Sequence, residues 1–196
     1  LKTIMNSNNY IYNHTNSQYL LALHSSTEIL GVAVLDLLDP NKTKKSATFP
    51  MGRKLSNNIL TCVDEVLQKS LWKKINRLAV ATGPGGFTGT RLTVAMTRII
   101  AQQLNCSLDS FSSFELMASR LINKLEKKQK ENPFWITKDL KRRGIIAGQY
   151  KLNRNHKELF FKEIIELKAP HLTLENERLH PTINASEDVE SDVIKL

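Results

Sequence analysis

The stretch ATGPGGFTGTR, residues 81–91, packs four glycines and a proline between Gly83 and Gly89. Before it stands INRLAVAT, a short apolar run of strand length. After it comes TRLTVAMTRIIAQQLN, where Leu92, Ala95, Met96, Ile99 and Gln103 fall at helical spacing. A buried strand that enters a helix through glycines belongs to an α/β layer, with backbone drawn close to a sheet and positive φ available at the turn. Such a turn either grips a phosphate or makes a tight packing corner. A phosphate-binding P-loop needs G-x-x-x-x-G-K-[ST], and no lysine lies in this loop. The dinucleotide pattern G-x-G-x-x-G fits Gly83 and Gly85 and fails at Thr88. Its companion acid would fall near Asn105 or Cys106, neither of them a carboxylate. Both nucleotide signatures therefore miss. The first helical turn still offers unpaired N–H groups that favour an anion.

The rest of the chain orders itself around this corner. QYLLALHSS and EILGVAVLDLL are two strands joined as a hairpin through Ser25-Ser26-Thr27, and KSATFP is a weaker edge strand closed by Pro50. A helix is expected from Ser56 as N-cap, through NNILTCVDEVLQKSL. CSLDSFSSFELMASRLINKL reads as a short strand or loop, then a helix capped by Ser112 or Ser113. Residues 1–17 read as a disordered polar leader, 18–123 as the first subdomain and 124–133 as a charged linker. Residues 134–196 read as a reduced second subdomain and tail, with GIIAGQYKL and KELFFKEIIEL as strands and no pattern beyond Ala169. No internal repeat is visible.

Composition narrows the function classes. The chain has 196 residues, of which 41% are hydrophobic and 24% charged, the balance of an ordinary globular protein. No apolar run approaches the roughly 20 residues of a membrane span. The first residues fit neither a secretory signal nor a transit helix, and Cys62 and Cys106 read as reduced and buried. Together these predict a cytoplasmic protein without membrane contact. The net charge of +9 is uneven: Arg120 to Arg143 holds nine basic residues against three acidic ones. That segment is either a solvated face or a site that attracts RNA.

Catalytic patterns are missing. His14, His24, His156, His171 and His180 form neither H-x-x-x-H nor H-E-x-x-H, and no G-x-S-x-G elbow occurs. DSFSSF is a turn with a helix cap. The helices are more telling. In the helix beginning at Arg91, Leu92, Ala95, Met96, Ile99, Ile100 and Leu104 sweep roughly half the circumference. In the helix from Ser56, Ile59, Leu60, Cys62, Val63, Val66 and Leu67 do the same. Packing on a sheet needs an arc of only about 100°. The surplus width covers either internal contacts or a second protein.

Gly83, Pro84, Gly85, Gly86, Phe87, Thr88, Gly89 and Arg91 fit the pattern G-x-G-P-G-[SG]-F-T-G-x-R-x-G, and this region resembles the signature of the bacterial TsaB family. LLALHSSTEILGVAVLD resembles that family's opening hairpin, LSNNILTCVDEVL its first helix and SSFELMA the approach to its third, so the likeness covers about residues 18–123. The resemblance implies an actin-like ATPase, ribonuclease-H-like α/β fold with a shortened second lobe. It implies a non-catalytic partner of TsaD in making threonylcarbamoyladenosine beside the tRNA anticodon, in a complex that also recruits TsaE. It implies that Ile59, Leu60, Val63, Leu67, Leu92, Met96 and Ile100 form the partner interface, for TsaD or for a homodimer when the chain is alone. No cofactor is expected in this chain, with ATP and metal in the partner subunits; tRNA is the RNA that Lys124–Arg143 would meet if that segment is a contact rather than a solvated face. Two departures stand out. His24 replaces the Asp that usually closes the first strand, and Leu55 replaces a histidine common at the start of the first helix. The alternatives are a self-standing actin-like ATPase or kinase, and a homodimeric structural protein without a tRNA role.

Overall fold

The computed structural model describes residues 18–39, 44–141, 143–153, 163–173 and 177–196. The leader expected over residues 1–17 lies outside them. Two sheets form the framework. The first is built from β1 (Tyr19–His24), β2 (Ile29–Asp36), β3 (Lys44–Pro50), β4 (Ile75–Ala81) and β5 (Ser107–Phe111), in the order β3-β2-β1-β4-β5. The hairpin β1–β2 is antiparallel, with Ala22 opposite Ala33, while β4 runs parallel to β1 and to β5. KSATFP is an edge strand, as expected, bonded to β2 alone.

Helices α1 (Leu55–Val66) and α2 (Phe87–Leu104) lie on one face of this sheet. Leu21, Leu23, Leu30, Val32 and Leu78 of the strands meet Leu55, Ile59, Cys62, Val63 and Val66 of α1 and Ile100 and Ala101 of α2 in the main core. Both helices begin away from their expected starts. α1 opens at Leu55, after a 3₁₀ turn at Gly52–Lys54, and no side chain caps it; Ser56 instead bonds Asn57 within the first turn. α2 opens at Phe87, inside the glycine run, and ends where Asn105 takes the left-handed conformation that closes helices.

The second sheet has the order β8-β7-β6-β9, from β6 (Phe134–Asp139), β7 (Ile145–Leu152), β8 (Ile164–Leu172) and β9 (Thr182–Asn184). α3 (Ser113–Leu121), capped by Ser112 as expected, follows β5 but packs into this second core. There Phe114, Met117 and Leu121 meet Phe134, Ile136 and Tyr150. The expected division at residue 123 therefore differs from the packing. The final segment crosses back: after β9, α4 (Val189–Val193) lies on the second face of the first sheet, where Val193 meets Ala22, Ala33 and Ala79. β6, β9 and α4 went unread in the sequence. The strand expected over KELFFKEIIEL falls partly on residues 157–162, outside the described residues; β8 takes its last four residues and continues to Leu172.

Candidate functional site

The glycine corner is pinned from three sides. Gly86 N donates to Ser26 O at 2.6 Å, Thr90 Oγ1 to Ser25 O at 2.8 Å, and Ser113 N to Gly83 O at 2.7 Å. The corner thus ties α2 to the β1–β2 turn and to the start of α3. Glycine is needed in two distinct ways. Gly83 takes φ +95°, a conformation most side chains resist. At Gly85 the problem is space: a Cβ would stand 2.5 Å from Ser26 Cα and 2.7 Å from Ser26 O. The positive φ expected of this loop sits at Gly83, while Gly85 and Gly89 are held by close approach. At Gly89 a Cβ would come within 3.0 Å of Ser25 Oγ.

In front of the corner opens a cavity of about 740 Å³. Ser26, Thr27, Arg53, Gly86, Phe87 and Gly89 line it, together with Glu28 and the ion-paired Lys138 and Glu187 from the second sheet's side. Phe87 is 65% exposed, and the Arg91 guanidinium stacks 3.6 Å from its ring centroid. Thr88 is exposed and Pro84 half-buried. The glycines were legible in the sequence, and Lys138 only as part of the basic segment, while Arg53 and Glu187 were missed, because only the fold brings these three side chains to one cavity.

His24 is fully buried at the end of β1, and neither ring nitrogen has a hydrogen-bond partner. Burial lowers its pKa to about 4, with the Glu187 charge opposing. It is therefore neutral at pH 7 and offers no negative charge to a magnesium-bound phosphate. Leu55, buried at the start of α1, offers no metal ligand either. The groups at these two positions do not fit a metal–nucleotide pair. Among the described residues no group of three His, Cys, Asp or Glu side chains is placed to hold a metal.

The residues expected at the partner interface separate into two sets. Ile59, Val63, Leu67 and Ile100 are buried in the main core. Leu92 and Met96 are half-buried, and Leu60 is 42% exposed. The outward apolar surface includes two positions outside that group, Ala95 and Ile99, the latter 50% exposed. In the basic segment Lys124, Lys127, Lys128, Lys141 and Arg143 are exposed. Lys138 is tied to Glu187, Arg120 to Asp192, and Lys130 to Asn123. Arg142 lies outside the described residues. No described helix is long and apolar enough to cross a membrane.

Comparison with known proteins agrees with this architecture. A family model described as TsaD, tRNA N6-adenosine threonylcarbamoyltransferase, matches residues 50–184, more than half of the chain. The tRNA threonylcarbamoyladenosine biosynthesis protein TsaB of Buchnera aphidicola subsp. Schizaphis graminum is 26% identical over 119 residues, 58% of this chain and 53% of that protein. The chain therefore spans about half the length of this curated relative. Two solved structures from Pseudomonas aeruginosa share the fold. One, YeaZ, has a TM-score of 0.63 at 17% identity, covering 91% of this chain and 89% of that one. The other, described as an uncharacterized protein with similarity to peptidase YeaZ, has a TM-score of 0.63 at 21% identity, covering 84% and 70%. The fold is the actin-like α/β architecture, and the chain belongs to the family described by the TsaD model.

Proposed function

We propose that the chain is a non-catalytic scaffold subunit in the synthesis of threonylcarbamoyladenosine on tRNA, and that its task is to bind and stabilise TsaD. The observation that carries this reading is the outward apolar surface of α1 and α2, where Leu60, Ala95 and Ile99 stand exposed beside half-buried Leu92 and Met96. Alternating exposed and buried apolar groups on neighbouring helices suit a contact that buries the order of 800 Å² per partner. The same face serves self-association when TsaD is absent. ATP and metal chemistry reside, in this reading, in TsaD and TsaE. His24 supports that assignment, since a neutral buried imidazole replaces the carboxylate an actin-like ATPase uses. The exposure of the lysines at 124, 127 and 128 supports a contact with tRNA phosphates in this reading, and the complex works in the cytoplasm.

The test is co-purification. A tagged chain expressed with TsaD from the same cell should retain it through a salt wash and raise its melting temperature. TsaD that elutes alone and melts unchanged contradicts the reading. A lone-chain ATPase rate above a TsaE-free blank would favour the enzyme alternative instead.

A further inference from the structure

We infer that the cavity before the glycine corner binds a small phosphate-type oxyanion, without a metal and without a nucleoside. The first turn of α2 supplies the donors. Its N-cap is Gly86, so no side chain bonds the turn, and the amides of Phe87, Thr88 and Gly89 meet no acceptor among the described residues. Free N–H groups at the start of an 18-residue helix carry its positive end. Independent observations point the same way. Ser26, 2% exposed, lines the cavity, and its Oγ is buried without a partner. Ser25, 1% exposed, also has an unpartnered Oγ, 3.0 Å from the point a Cβ on Gly89 would occupy, beneath the same turn. Native structures rarely leave such groups unbonded. Arg53 adds a cation that forms no ion pair among the described residues. Glu28 and Glu187 also line the cavity, but Glu187 is neutralised by Lys138. Donors on three sides and one free guanidinium match a tetrahedral anion.

The site makes no use of the α1–α2 surface, so it stands or falls separately from TsaD binding. The full chain, labelled with ¹⁵N, is titrated with inorganic phosphate at fixed ionic strength. Saturable shifts are expected at the amides of Phe87, Thr88 and Gly89, with sulfate giving the same pattern and adenosine giving none. Arg53→Gln should weaken phosphate binding several-fold. Gly86→Asp is the sharper variant, because a Cβ there has room, its nearest neighbour being Ser26 O at 3.6 Å. Its carboxylate should cap the free amides, raising the melting temperature while abolishing the phosphate shifts. Absence of saturable shifts in the unaltered chain, shifts with adenosine, or unchanged phosphate binding in both variants would each overturn the inference.

Discussion

His24 and Gly85 show what single side chains at the corner cost and supply. The imidazole is protonated near its usual value in the unfolded chain, but in the fold only near pH 4, because burial opposes the charge. The unfolded state therefore binds more protons between these values. His24 should subtract stability as pH falls from about 6.5 towards 4, by roughly 3 kcal/mol at full extent. Melting curves across that window should be flatter for His24→Asn than for the natural chain; equal slopes would mean the histidine is not the titrating group. Gly85→Val should cost about 1–3 kcal/mol by denaturant unfolding, the range for overpacking, since its Cβ must displace Ser26 backbone. That glycines mattered here was legible from their density. Which one carries positive φ was not, because φ depends on where Ser26 and Ser113 anchor the loop.

Helices α1 and α2 show how far periodicity reaches. The apolar arc of α1 is wider than a sheet requires, and the pattern correctly marks Ile59, Cys62, Val63 and Val66, spaced i, i+3, i+4, i+7, as one face. It cannot say where the inside ends, because Leu60 sits one step of about 100° from Ile59 and is equally apolar. Packing decides: Val63 is fully buried while Leu60 is 42% exposed. Val63→Glu is therefore expected to unfold the chain, stranding a charge in the core at a cost of several kcal/mol. A folded Val63→Glu protein with an unchanged melting point would refute this placement. The short elements escaped for a different reason. β9 has three residues and α4 five, too few to show any period, and both are held by partners distant in sequence, β6 for one and the first sheet for the other.

The two sheets are joined by chain that crosses between them, outward after β5 and back after β9. The return is fastened where Arg120 on α3 meets Asp192 on α4 at 3.0 Å and Ser186 O at 2.8 Å. Burial raises the Asp192 pKa and the Arg120 guanidinium holds it back, so the carboxylate depends on that partner. Asp192→Ala should cost on the order of 2 kcal/mol, less than the about 3–5 of a fully buried pair, because Arg120 still reaches water. Circular dichroism melts of Asp192→Ala and Arg120→Ala should show similar losses. The tie between the two halves lies away from the opposite side of the first sheet, where α1 and α2 pack, the face proposed above to bind TsaD. Leu60→Glu and Ile99→Lys place charges on that outward face, where surface changes usually stay within about 0.5 kcal/mol. The decisive measurement is the affinity of each variant for TsaD by calorimetry, read beside its melting temperature. A folded chain of unchanged stability whose TsaD binding falls at least tenfold, about 1.4 kcal/mol, is the predicted result; full affinity in both variants would contradict the scaffold role assigned to this face.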